Sequence, residues 1–311
     1  MRALVTGASG FVGRYLTSAL AEAGYDVCAC GGPGDGGYLP IDLAEIDSLR
    51  AAFDLAQPDV VFHLAAQTFV PESIAAPLPT YDANVLGTAR LLQAMREWCE
   101  RGGRNPRLLL ASSAEVYGAQ PPEAFPLRET LAPKPANPYA ASKAAAEAIV
   151  LAEARSYGLD VVVTRAFNHV GPGQSERFVV AAFAAQLAAI AAGGDAKLFA
   201  GNLDAQRDFL DVRDVVDAYV TLAREGGSAE VYNVCSGSAV AIREILGRLV
   251  AIARVPVEVR DDPARARPSD IPLFYGSTEK LRAQTAWRPR VPLERSLRET
   301  YEAALHAATS P

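Results

Sequence analysis

Histidine is scarce in this sequence: three in 311 residues, His63, His169 and His306, scattered and without any carboxylate–histidine spacing. No metal site is expected from that set. The four cysteines, Cys28, Cys30, Cys99 and Cys235, contain no C-x-x-C pair and lack the density of a disulfide framework. Cys28 and Cys30 fall in an apolar strand and read as small buried filler, which suits a reducing compartment such as the cytoplasm. An excess of positive charge is also missing. The net charge of −6 argues against a nucleic-acid or anionic-membrane surface, so an anionic substrate must be met by a few local arginines. No leader is expected, because Met1-Arg2 runs straight into the strand Ala3-Leu4-Val5. The longest apolar run, FVVAAFAAQLAAIAA (178–192), is too short and too alanine-rich to span a bilayer and reads as a buried helix.

What is present is ordinary for a soluble globular enzyme: half the residues are hydrophobic and 21% are charged. The length suits one large domain or two intimate ones, with a core that needs no staples. Apolar runs at 2–7, 26–30, 60–66, 107–113 and 160–167 alternate with amphipathic stretches at 12–23, 45–56, 81–100 and 139–157. That rhythm predicts a parallel sheet with helices on both faces. The strands are apolar throughout, as expected when both faces are covered. After about residue 168 the pattern loosens, returning in DVVDAYVTLA and EVYNVCSG before a Pro- and Arg-rich tail.

The stretch TGASGFVG places glycines at 7, 10 and 13, directly after the first strand and at the opening of the first helix. This is the context of a dinucleotide fingerprint, with a tight turn, close backbone approach and pyrophosphate at a helix N-terminus. The end of the second strand, CACGGPGDGG (28–37), reads as holding neither the ribose-reading acid of NAD enzymes nor the base of NADP enzymes. NADPH is then permitted and NADH remains possible. Arg14 could offer a charge or lie solvated on its helix; Asp42 could accept from an adenine amino group or cap a helix.

NPYAASKAAAEA opens a helix at Asn137 and Pro138 and sets Tyr139 and Lys143 four residues apart, on one face of one turn. A free tyrosine titrates at about 10, and a nearby ammonium draws it toward the working range. Upstream, RLLLASS ends at Ser113, where a strand-end hydroxyl reaches the crevice of a doubly wound sheet or simply serves a turn. His63, inside an apolar strand, reads as a satisfied core histidine.

Read together, TGASGFVG, HLAAQ, NVLGT, SSAEVYG, YAASK, RAFNHVGPGQ, RDFLDVRD, YNVCSG and RPSDIP resemble an extended short-chain dehydrogenase/reductase, of the sugar-nucleotide epimerase, dehydratase and reductase group. The resemblance covers essentially the whole chain. It implies a Rossmann-type doubly wound sheet, residues 1–168 plus about 212–235, and a smaller interleaved lobe of 169–211 and 236–311 for the nucleotide sugar. The implied catalytic set is Ser113, Tyr139 and Lys143, with Glu115 in a role left open between sugar-hydroxyl contact, structural acceptor and dehydratase base. Cofactor contacts are implied at Gly7, Gly10, Phe11, Val12, Gly13, Asp42, Leu43, Leu64, Ala65 and Ala66, besides Tyr139 and Lys143. Substrate contacts are implied at Asn168, Val179, Arg207, Arg267 and Asp270, with Arg265 as a second arginine candidate.

Within the group, TRAFNHVGPGQS, GNLDAQRDFLDVRD and VYNVCSG resemble the reductases of GDP-4-keto-6-deoxy-D-mannose. The expected reaction is NAD(P)H-dependent reduction of the C4 ketone to GDP-D-rhamnose. The related GDP-mannose 4,6-dehydratases carry a glutamate at the Glu115 position, yet commonly a threonine at Ser113 and a longer chain. A redox-neutral dehydratase or epimerase is the alternative, a GDP-linked heptose the alternative substrate, and a non-catalytic dinucleotide sensor the remote one. The resemblance also implies a homodimer through helices at about 84–101 and 139–157.

Overall fold

The computed structural model describes residues 1–262 and 271–309. The first half alternates strand and helix. Strands β1 (Arg2–Thr6), β2 (Asp26–Gly31), β3 (Leu39–Pro40), β4 (Val60–His63), β5 (Arg107–Ser113) and β6 (Val161–Ala166) are interleaved with helices α1 (Phe11–Glu22), α2 (Ile46–Ala56), α3 (Val70–Ala75), α4 (Pro77–Tyr81), α5 (Gly87–Glu100) and α6 (Pro138–Tyr157). The amphipathic stretch expected over 81–100 is not one continuous α-helix, because a wide π turn at Asp82–Leu86 precedes α5. The second half runs β7 (Asn168–Val170), α7 (Val179–Ala191), β8 (Lys197–Ala200), β9 (Gln206–Arg207), β10 (Phe209–Asp211), α8 (Val212–Glu225), β11 (Glu230–Val234), β12 (Val240–Ala241), α9 (Ile242–Ala253), β13 (Glu258–Asp261), β14 (Leu273–Phe274), α10 (Glu279–Gln284) and α11 (Leu293–Thr309).

Seven strands form one parallel sheet in the order β11-β6-β5-β4-β1-β2-β3. Every residue of β4 and β6 is buried, which explains the apolar runs Val60–Phe62 and Val161–Val163: helices cover both faces. On one face α1 and α8 bring Leu16, Leu20, Val215 and Tyr219 against Val5, Phe62 and Val162. On the other, α2, α5 and α6 bring Leu49, Phe53, Leu92, Met95 and Val150 against Leu4, Val61, Leu108 and Val163. Each such large aliphatic or aromatic side chain contributes roughly 1.5–3 kcal/mol by leaving water.

The chain leaves β6 at residue 166, passes through a second lobe, and returns to pair β11 alongside β6. That lobe has its own core, in which Phe183 and Leu187 of α7 pack with Ile245 and Leu249 of α9 and Leu297 of α11. Helix α7 covers 179–191 of the apolar run, and among the described residues no helix is long and apolar enough to cross a membrane.

Candidate active site

The chain runs from β1 to β2 and β3 on one side, then resumes at β4 on the other side of β1. The crevice beyond the carboxyl ends of these strands is the ligand position of such sheets. Gly7 follows β1 with φ +72°, and a Cβ there would lie 2.7 Å from the Ala65 nitrogen. At Gly13 a Cβ would come within 2.2 Å of the Gly7 oxygen and 2.6 Å of the Ala8 Cα. Both positions therefore require glycine. Gly10 stands at the N-cap of α1 and offers no side-chain cap, so the first amides of a twelve-residue helix have no capping oxygen of their own. This cradle, rimmed by Phe11, Val12 and the Leu64-Ala65-Ala66 segment, fits a dinucleotide pyrophosphate.

The second strand's end differs from the sequence expectation. The glycine-rich loop after β2 folds back, and the Asp35 carboxylate accepts the Ser9 hydroxyl at 2.5 Å and the Gly32 amide at 2.8 Å. Those bonds, Ser9 foremost, hold its carboxyl below the usual range. An acid therefore stands beside the glycine turn where none was expected. Arg14 is not simply solvated: it donates to the Ser9 carbonyl at 2.7 Å and the Gly173 carbonyl at 3.3 Å. Asp42 serves the turn into α2, accepting from the Ala44 amide at 2.8 Å, and neighbouring Leu43 packs where a Cβ on Gly87 would come within 2.9 Å.

His63 is the core histidine the sequence suggests. Its Nδ1 lies 2.7 Å from the Thr6 hydroxyl and its Nε2 lies 3.0 Å from that of Thr88. Thr88 spends its own proton on the Asn84 carbonyl at 2.7 Å. Nε2 must therefore carry the ring proton, and Nδ1 accepts from Thr6.

Helix α6 starts at an Asn137 cap, whose side chain accepts from the Ala140 amide at 2.8 Å, with Pro138 in the first turn. This fixes where Tyr139 and Lys143 project. Tyr139 is buried with Ser113 beside it, while Lys143 Nζ donates to the Ala111 carbonyl at 2.8 Å. Ser113 also serves its turn, accepting the Glu115 amide at 3.2 Å. The Glu115 carboxylate accepts from Asn137 Nδ2 at 3.4 Å.

The lowered tyrosine expected from a neighbouring ammonium is not the balance found here. Burial pushes the Tyr139 phenol above its ordinary range, the Ser113 hydrogen bond pulls the other way, and the Glu115 charge and Tyr219 add to the rise. Burial draws Lys143 down to about 8, against the opposing charge of Glu147. Tyr139 thus holds its proton in a dry pocket, as a proton donor must, beside an ammonium that burial makes easier to discharge.

On the substrate side, Asn168 lies in β7 beside β10, and Val179 opens α7. Arg207 in β9 donates to the Ile271 carbonyl at 2.6 Å. The next residue, Asp208, is buried and fastens the 236–237 loop by accepting from the Ser236 hydroxyl at 2.6 Å and the Gly237 amide at 3.0 Å. Arg265, Arg267 and Asp270 lie outside the described residues. β7 and the loop after it are pinned to α1, with Tyr15 donating to the Pro172 carbonyl at 2.9 Å and Phe11 stacked on His169 at 6.0 Å. No cluster of three or more His, Cys, Asp or Glu suited to a metal occurs among the described residues.

Sequence reasoning passed over Asp35, Glu147 and Arg165. Arg165 had a readable signal: an arginine inside the apolar strand DVVVTRAF demands a buried partner. The structure supplies Glu147, which Arg165 contacts at 2.7 Å.

Comparison with known proteins gives a consistent placement. The family model described as GDP-mannose 4,6 dehydratase matches residues 37–300. The chain is 42% identical to the GDP-6-deoxy-D-mannose reductase of Pseudomonas aeruginosa over 302 residues, 96% of this chain and 95% of that protein. The structure of RMD from Pseudomonas aeruginosa complexed with NADPH superposes with a TM-score of 0.88 at 39% identity, covering 99% of this chain and 100% of the other. The Thermus thermophilus UDP-glucose 4-epimerase complex with NAD gives 0.86 at 33% identity, covering 98% and 99%. With its glycine cradle and its Ser113–Tyr139–Lys143 cluster built on this sheet, the chain belongs to the GDP-mannose 4,6-dehydratase family of NAD-dependent epimerases and dehydratases.

Proposed function

We propose that this chain is a nucleotide-sugar 4-ketoreductase that converts GDP-4-keto-6-deoxy-D-mannose to GDP-D-rhamnose with NADPH or NADH. The observation that carries the reading is Tyr139, buried beside Ser113 and Lys143 and pushed up so that it keeps its proton. A ketone reduction needs such a donor ready for the alkoxide. The similarity to the Pseudomonas aeruginosa GDP-6-deoxy-D-mannose reductase supports the substrate.

The dinucleotide, when bound, supplies the hydride. Ser113 donates to the ketone oxygen, where negative charge develops. Tyr139 gives up its proton to that oxygen, and the Lys143 ammonium favours the phenolate left behind. Arg207, with Arg265, Arg267 and Asp270 from the adjoining segment, meets the pyrophosphate and ribose of the nucleotide, a task suited to guanidinium groups. Asn168 and Val179 line the sugar side. The dinucleotide-binding unit is 1–168 with 212–235, and the remainder forms the nucleotide-sugar lobe. The protein acts in the cytoplasm as a homodimer packed through α5 and α6, with exposed Leu86 just ahead of α5 and exposed Tyr157 at the end of α6. A monomer by light scattering would contradict the dimer.

Glu115 favours a second reading. Its carboxylate is close enough to Tyr139 to raise the phenol by charge, so it could take a proton beside a sugar ketone, as a dehydratase requires. One assay separates the two. Purified protein is mixed with the ketosugar and NADPH or NADH, and in parallel with GDP-mannose alone. Loss of reduced-nicotinamide absorbance with the ketosugar is the expected result. Conversion of GDP-mannose without added reductant would replace the reductase with the dehydratase.

A further inference from the structure

Three residues of α6 spaced four apart, Tyr139, Lys143 and Glu147, form one stripe along the helix. Each meets the end of β5. Tyr139 lies beside Ser113, Lys143 donates to the Ala111 carbonyl at 2.8 Å, and Glu147 accepts the Ser112 hydroxyl at 2.5 Å. Arg165 stands opposite Ser112 in the parallel register of β5 and β6, so both side chains reach the same carboxylate. Its Nε and Nη2 grip Glu147 at 3.0 and 2.7 Å. Both partners of this ion pair are about 5% exposed or less.

A buried ion pair is rarely the most stable filling for such a space, since its desolvation offsets much of its attraction. Here it is placed one turn from the proton-donating pair. Lys143 spends its ammonium on a carbonyl, which carries no net charge, and the opposite charge acting on it is that of Glu147.

We propose that Glu147 is a positioning residue for the reaction: its buried carboxylate, held by Arg165 and Ser112, supplies the negative field that keeps the Lys143 ammonium charged beside Tyr139. The proposal rests on the reading of that pair as the proton donor. A negative charge favours the protonated form of both members, whichever releases its proton first, so the sign does not depend on assigning the step.

Glu115 adds negative charge at Tyr139 but not at Lys143, and the remaining groups facing the pair do not supply this field. From β4, His63 is fully buried and drawn down to about 3, so it stays neutral through the working range. Tyr219 of α8 lies in a dry setting that pushes it up to about 12. Behind Arg165, the Tyr117 ring lies 4.7 Å from the guanidinium and its phenol is likewise raised to about 12. Glu129, which accepts the Asn233 amide at 2.8 Å, acts on Tyr117.

The test is the pH profile of kcat for ketosugar reduction in the full-length enzyme. The wild type is expected to lose activity above about pH 8, where Lys143 titrates. Glu147→Gln keeps the shape but removes the charge, and should move this alkaline limb down by about one pH unit, in line with a single nearby charge. Glu147→Asp keeps the charge and should leave the limb close to the wild-type position. Arg165→Gln removes the opposing positive charge and should move the limb up, which keeps the test decisive if Glu147→Gln folds poorly. Thermal unfolding reports the structural cost separately. An unmoved limb in Glu147→Gln, or equal shifts in the Gln and Asp variants, would overturn the proposal. Full turnover by Tyr139→Phe would instead overturn the donor reading beneath it.

Discussion

The Asp35 carboxylate takes the Ser9 hydroxyl across 2.5 Å and so ties the loop after β2 to the glycine turn after β1. In a dinucleotide fold this is where the adenosine ribose is read, and an acid accepts from a 2′-hydroxyl but repels a 2′-phosphate. Asp35→Ser should therefore raise NADPH affinity relative to NADH by about tenfold. Fluorescence titration with both dinucleotides reads the ratio directly. An unchanged ratio would remove Asp35 from cofactor choice.

Gly13 is the position where the cradle has no room. A methyl group there meets the Gly7 carbonyl at 2.2 Å, and backbone cannot swing aside as a side chain can. Gly13→Ala is expected to weaken both dinucleotides at least tenfold. Circular dichroism would show whether the sheet survives while titration records the loss.

Tyr139→Phe removes one hydroxyl from the reaction and leaves its ring in place. Turnover should fall roughly 10²–10⁴-fold, the usual contribution of a positioned proton donor. The dissociation constant for NADPH should stay within about threefold. Parallel kinetics and titration would separate these two effects.

His63 couples acidity to stability. Its ring is drawn down to about 3, chiefly by burial and secondarily by the Lys143 charge, whereas an unfolded histidine titrates near 6.5. The unfolded chain therefore binds the extra proton first. Stability from the neutral ring is complete above about pH 6.5 and is lost as the pH falls toward 3, by up to about 1.4 kcal/mol per pH unit. Urea unfolding at pH 7 and pH 5 should show His63→Gln losing roughly 1–2 kcal/mol less on acidification than the wild type. Equal losses would show that other groups carry the acid sensitivity.

What was legible in the sequence was what repeats or sits close together along the chain. Strand–helix alternation revealed the sheet, and Gly7, Gly10 and Gly13 occur in one turn of chain. Tyr139 and Lys143 share a helical face, so their proximity follows from the period alone. Contacts made by distant residues were not legible. Asp35 meets Ser9 only because a loop without periodicity folds back, and the Arg165–Glu147 pair joins a strand to a helix. Burial was hidden as well: spacing suggested a lowered phenol at Tyr139, whereas the packing around it raises the phenol.

The return of β11 to the edge of β6 has a consequence for a chain still leaving the ribosome. Six strands of the central sheet are complete at residue 166, but the neighbour of β6 ends only at Val234. Until those residues emerge, β6 presents a row of unpaired amides and carbonyls on an apolar strand, an invitation to pair with another copy. Truncation at the end of the first lobe would leave the same bare edge permanently. The second lobe cannot be cut away to yield a clean dinucleotide-binding fragment, because the strand that closes the sheet is delivered from its far side.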